Sequence, residues 1–158
     1  MTMTFKKASI TTLLTALMLT LLFACRQSNS NKYVTPDNKT LSIETFSTFP
    51  PEIDGCSCYF SNDSTELQNH KYIYANDYAE TSFLKINGVM TKFTQTGFKK
   101  VDSLNTKATF KSDSYEMTIE SKEGIQNGDE TWLKTGTIKL TDKKNKTIIK
   151  KFYGECGC

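Results

Sequence analysis

The chain has 158 residues, of which 23% are charged and 11% aromatic, with a formal net charge of +3 and a single histidine. That size suits one domain and its attachments. Lysines are interleaved with acids, so the electrostatic footprint of a nucleic-acid binder is missing, and one histidine rules out a multi-histidine metal site.

Residues 1–24 have the three parts of an export signal: Lys6 and Lys7, an uncharged run over 8–23, and the small residue Ala24 ahead of Cys25. Thr11, Thr12, Thr15 and Thr20 dilute the run, which also falls short of the ~20 apolar residues a spanning helix needs. The segment Leu22-Phe23-Ala24-Cys25 resembles the lipobox of bacterial lipoprotein precursors, with Leu three before, and a small residue immediately before, an obligatory Cys. The resemblance covers residues 1–25, and Phe23 is bulkier than the residue usual at its position. It implies that the Cys25 thiol takes a diacylglyceryl group and that a signal peptidase cuts between Ala24 and Cys25. Acylated Cys25 would then hold the protein on a lipid bilayer of the cell envelope. One acyl chain binds only reversibly, so lasting attachment needs the two or three chains of a lipoprotein. An ordinary cleaved signal and an uncleaved anchor are the competing readings. Losing Lys6 and Lys7 leaves the mature chain close to neutral.

Residues 25–40 form a lipidated tether in this reading. Arg26 to Thr40 (RQSNSNKYVTPDNKT) has almost no apolar content, which predicts a flexible coil spanning on the order of 20 Å. Residues 41–158 then make a single domain.

Within that domain the periodicity is that of strands. Tyr115, Met117 and Ile119 alternate with Glu116 and Thr118, which puts apolar groups on one face. Asn87-Gly88 tolerates the positive φ angles of a type I′ turn and predicts a hairpin joining 81–86 to 89–94. Two further hairpins are expected, 106–111 to 114–120 through Ser112-Asp113, and 131–141 to 146–153 through 142–145. Glu123-Gly124 and Asn127-Gly128 read as a loop between them. Residues 71–75 and the stretch near Tyr59 are additional strand candidates. Short helices are expected over 40–49 and 64–70, with a single helical turn over 99–105. The fold class is therefore all-β: an antiparallel, hairpin-rich sandwich or partly open barrel of about seven or eight strands, with short helical turns.

The cysteines carry the second message. If Cys25 is acylated, Cys56, Cys58, Cys156 and Cys158 remain, an even set arranged as two C-x-C segments. Residues i and i+2 of a strand share a face, so antiparallel, adjacent segments would set Cys56 against Cys158 and Cys58 against Cys156. Disulfides fit an exported protein. Four thiolates also suit zinc or Cu(I), and a terminal dithiol suits redox exchange, although C-x-C is not the usual zinc spacing.

Other chemistry is sparse. His70 lies in a polar stretch, and no G-x-S-x-G, phosphate-loop or H-E-x-x-H motif is present. Glu52 and Asp54 read as part of a turn leading into a strand, and the lysine run over 143–151 as a solvated hairpin edge. Tyr59, Phe60, Tyr72, Tyr74 and Tyr78 suit half-buried sheet positions before a recognition surface. The sequence thus points to a non-catalytic envelope module that binds a protein, a glycan or a small ligand, or is structural, with no cofactor. The alternative is a thiol-based metal or redox protein using the four late cysteines.

Overall fold

The computed structural model describes residues 40–158. Nine antiparallel strands form one sheet: β1 (Ile43–Glu44), β2 (Ser57–Ser61), β3 (Tyr74–Asn76), β4 (Thr81–Ile86), β5 (Val89–Lys100), β6 (Asn105–Lys111), β7 (Tyr115–Gln126), β8 (Thr131–Asp142) and β9 (Thr147–Gly157). Neighbours run β4-β3-β2-β9-β8-β7-β6-β5, and β5 pairs back to β4, so β2 to β9 close into an eight-stranded barrel. Closure removes the free edges that would otherwise template pairing with another chain. The short β1 lies beside the end of β4, with Ile43 opposite Ile86.

Each long strand keeps period 2 because one face is dry. Met117 and Ile119 of β7 face inward opposite Phe110 and Ala108 of β6 on one side, and Leu140 and Ile138 of β8 on the other. With Phe60, Tyr74, Leu84, Ile86, Phe93 and Phe152 these side chains fill the interior. The hairpin turns carry the residues their backbones demand. Asn87 (φ 49°) and Gly88 (φ 86°) form the β4–β5 turn, whose backbone also holds β1, since Asn87 N–H donates to the Ser42 carbonyl at 3.1 Å. At the β8–β9 turn, Asp142 Oδ1 accepts from the Lys144 and Lys146 N–H groups, both at 2.8 Å, and Asn145 takes φ 61°.

A second apolar cluster lies outside the β2–β3–β9 wall. Phe46, Leu67, Tyr72 and Ala75 are buried there with Phe49, Ile53, Tyr59 and Tyr153 against them. The segment preceding β2 and the one short helix, α1 (Ser64–Gln68), supply this cover. Helix α1 has a good N-cap, Asp63 accepting from Glu66 N–H at 2.8 Å, but Leu67 is its only buried residue, so nothing extends it.

Three local expectations change. Residues 40–49 are not helical: β1 and a bridge between Phe46 and Tyr72 take their place, because Leu41, Ile43 and Phe46 each find an apolar partner in extended chain. Residues 99–105 hold no helical turn either. Asp102 Oδ1 accepts from the Leu104 and Asn105 N–H groups, both at 2.9 Å, and this side-chain turn reverses the chain between β5 and β6. Those bonds hold the Asp102 carboxyl below its usual range. Finally, Glu123 and Gly124 lie within β7, where a bulge between Glu123 and Gln126 absorbs the irregularity, so the loop begins at Asn127.

The interior is organised around a run of rings. Phe60 stacks on Phe152 at 4.0 Å and on Tyr74 at 4.8 Å. Two glycines allow the close approach of neighbouring backbone and rings: a Cβ on Gly154 would meet the Tyr59 carbonyl oxygen and lie 2.5 Å from Phe60 Cδ1, and one on Gly136 would meet the Glu120 carbonyl oxygen and lie 2.9 Å from Phe152 Cζ. Substituting Gly154→Ala is therefore expected to cost about 1–3 kcal/mol by overpacking, read as a lower urea midpoint with the β spectrum retained. An unchanged midpoint would mean that the backbone of β2 shifts freely together with the Phe60 ring.

Candidate functional site: the open end of the barrel

The two ends of the barrel differ. At one end the β4–β5, β6–β7 and β8–β9 turns are tight, and Leu41 and Ile43 pack onto the interior beside the first of them. At the other end the strands run into the loops 77–80, 101–104 and 127–130, and a cavity of about 630 Å³ opens beside the first two of them. A smaller cleft of about 260 Å³ at the tight end is lined by the hairpin turns themselves, Ser112 to Tyr115 and Thr141 to Lys143 among them.

Inward alternation positions the lining. Phe60, Tyr74, Phe110 and Ile119 form apolar wall continuous with the barrel core, and Cys58 and Cys156 border it. Tyr74 is fully buried, and burial pushes its phenol far above the ordinary tyrosine range, so the ring is a neutral packing group. Above this wall lie polar side chains: Asn76, Gln95, the Thr106–Ser121 hydroxyl pair at 2.8 Å, and Glu123 with Lys134. Glu123 and Lys134 oppose each other across the β7–β8 ladder and form an ion pair.

The rim is apolar. Tyr78 is 51% exposed, Phe98 63% and Leu104 45%, and all three line the cavity mouth. Tyr78 also takes φ 61°, a left-handed conformation that costs an aromatic residue roughly 1 kcal/mol or more. It is held there by bonds around it: Tyr78 N–H donates to Asn76 Oδ1 at 3.3 Å, while Asp77 Oδ1 accepts from the Ala79 and Thr81 N–H groups. The mouth of the cavity thus presents one exposed ring, Tyr78, in a constrained loop and a second, Phe98, near the end of β5.

The four late cysteines come together at this same end. Cys56–Cys158 and Cys58–Cys156 are disulfides, each with Cα atoms 4.0 Å apart, and they sit side by side on the seam where β2 pairs with β9. Bridged sulfurs carry no thiolate for a metal, and no cluster of three or more His, Cys, Asp or Glu with metal-site geometry occurs among the described residues. Two disulfides are what an oxidising, extracytoplasmic compartment sustains. Cys25 and Ala24, the positions expected to be lipidated and to flank the cleavage, lie outside the described residues. Among those residues no helix is long and apolar enough to cross a membrane.

The remaining candidates are dispersed. His70 follows α1 at φ 53° with its Nδ1 2.9 Å from the Tyr72 hydroxyl, which anchors a turn. Glu52 pairs with Lys92 at 4.0 Å on the outer surface, and Lys143, Lys144 and Lys146 are exposed on the β8–β9 turn. The tyrosines divide among three places: Tyr74 inside, Tyr59 and Tyr72 in the outer cluster, Tyr78 on the rim. Partial burial, then the 2.8 Å bond to Glu155 and its charge, push the Tyr59 phenol up to about 12.

Asn76, Gln95, Glu123 and Lys134 were not anticipated as site residues. A signal for two of them exists: Lys134 lies in phase with Ile138 and Leu140, and Glu123 with Met117 and Ile119. A charge on the apolar phase of a strand marks either a break in the core or a lined cavity. No family model, curated protein or solved structure matches the chain.

Proposed function

We propose that this protein is a membrane-anchored lipoprotein of the bacterial cell envelope whose barrel is a non-catalytic cup for a small apolar or amphipathic ligand. The cavity at the open end carries the reading: about 630 Å³, apolar below, polar above, and rimmed by exposed rings. Such a volume is within the range of small-molecule pockets, and the open mouths of β-barrels are a recurrent place for them. The lipobox-like segment ending at Cys25 supports the anchor, and the two disulfides support export.

Burial alone gives modest affinity. Ten methylenes bring ~8 kcal/mol and association takes back at least ~4, so a plain alkyl chain should bind no tighter than roughly millimolar.

The neutral fluorophore 1-N-phenylnaphthylamine tests the cup. It should brighten on binding the domain, with one site per barrel. Ala108 borders both the cavity and the core, so Ala108→Phe should fill the space and abolish the enhancement while the circular dichroism stays β. Undiminished binding by a folded Ala108→Phe would remove the cup reading.

A further inference from the structure

The polar wall of the cavity carries no net charge. Four ionisable side chains border the space, Glu80, Lys100, Glu123 and Lys134, and their charges sum to zero. Of these only Lys134 is well sheltered, its side chain 15% exposed, and it is already paired with Glu123. Glu80 and Lys100 are exposed at the rim, where water screens them. A carboxylate or an ammonium group entering the cavity meets a like charge along with the opposite one. It surrenders hydration without gaining a net opposite charge, which disfavours a desolvated ion.

Asn76 adds a direction to the wall. Its residue is nine-tenths buried on the inward face of β3, and its Oδ1 accepts from Cys58 N–H at 3.1 Å and Tyr78 N–H at 3.3 Å. A backbone N–H only donates, so these two bonds fix which end of the amide is oxygen. The Nδ2 group is therefore left to donate, with no protein partner among the described residues, on a side chain that lines the cavity. Among the described residues the side-chain atoms that are fully buried without a partner are Ser61 Oγ and Ser82 Oγ, so Asn76 Nδ2 is reached by solvent from the cavity, and a ligand oxygen there takes the place of water.

We infer that the cup, if it binds amphiphiles as proposed above, selects uncharged ones that carry an acceptor oxygen: an alcohol, ester or amide on an apolar body. The oxygen is received by Asn76 Nδ2, and the body lies on Phe60, Phe110 and Ile119. The same body ending in a carboxylate or an ammonium group is discriminated against.

Displacement of 1-N-phenylnaphthylamine from the folded domain decides this, using 1-dodecanol, dodecanoate and dodecylammonium below their aggregation limits. The alcohol should displace the probe at a concentration at least about tenfold lower than either ion, a difference of ~1.4 kcal/mol. Equal or better displacement by dodecanoate or dodecylammonium overturns the inference while leaving the cup intact. The substitution Asn76→Asp keeps an acceptor for the Cys58 and Tyr78 N–H groups but exchanges the donor for a carboxylate. It should weaken the alcohol at least about tenfold and move dodecylammonium ahead of it, with the melting temperature confirming a folded barrel. An unchanged order in the folded variant also overturns the inference, and if the variant does not fold the wild-type ranking decides alone. Failure of the cup itself looks different: the probe then shows no saturable binding, or binds Ala108→Phe as well as wild type.

Discussion

Removing both disulfides should cost the domain about 7 kcal/mol, whereas removing either one alone should cost only about 2 kcal/mol. The difference comes from where the bridges sit. Their sequence separations are 102 and 98 residues, so whichever forms first closes a loop of about one hundred residues, worth about 4.7 kcal/mol on the chain-entropy model. With that bridge in place the second closes a ring of only about six residues, drawn from 56–58 and 156–158, and the same model gives it ~2 kcal/mol. Either bridge can carry the long loop. The paired substitutions Cys56→Ala with Cys158→Ala, and Cys58→Ala with Cys156→Ala, should therefore each lower the urea midpoint modestly, and all four together should lower it far more than the sum. A coupling of about 3 kcal/mol is expected in that cycle. The inner pair should be the costlier of the two, because Cys156 is 4% exposed and packs in the barrel interior, so its loss leaves space there as well. Since small domains have only about 5–15 kcal/mol in total, the fourfold variant should lie near the edge of unfolding. Strictly additive losses would show that loop closure in the unfolded chain is not what the bridges control.

The same seam explains how far the architecture can be read from the chain. Hairpin turns are local, so Asn87-Gly88, Ser112-Asp113 and the 142–145 turn give the β4–β5, β6–β7 and β8–β9 pairs, all of which the structure contains. The two C-x-C segments supply a non-local pair, and β2 does lie against β9 with Cys58 opposite Cys156. Closure was not legible. It depends on β5 pairing with both β4 and β6 through a twelve-residue strand with a bulge between Gln95 and Gly97, and no short window of sequence reports that. This is why a sandwich and a partly open barrel stood as equals, and why β5 and β7 run further than their alternation suggests. Beyond Thr94 and Glu120 the inward positions carry Gln95, Ser121 and Glu123, which line the cavity instead of a dry core. A period-2 reading loses the strand where the interior turns polar, so the hidden strand ends and the hidden site residues have one cause. Residues 40–49 failed for another reason: Ile43 and Phe46 are three apart, as on one face of a helix, and only the presence of β4 and Tyr72 makes extended chain the better use of them.

Replacing Cys25 with alanine should abolish fatty-acid incorporation and release the protein from the membrane fraction of a bacterial host. In the proposed reading Cys25 is the sole attachment, and every buried methylene of its acyl groups contributes ~0.8 kcal/mol. A single fourteen-carbon chain gives an association constant of only about 10⁴ M⁻¹, and two or three chains multiply such terms, so losing all of them changes partitioning by many orders of magnitude. Because the substitution leaves the four bridged cysteines unchanged, the two disulfides should form as before in any exported product. Metabolic labelling combined with fractionation separates the three readings of residues 1–25. A lipoprotein gives labelled, membrane-bound wild type and an unlabelled Cys25→Ala variant. An ordinary cleaved signal gives unlabelled, soluble protein in both cases, and an uncleaved anchor gives unlabelled protein that stays in the membrane in both. Intact mass of the wild type adds a fourth check, since cleavage before Cys25 removes residues 1–24 and acylation adds the chains back as a discrete increment. Label on Cys25→Ala equal to that on wild type would place the acyl group elsewhere and end the case for this cysteine.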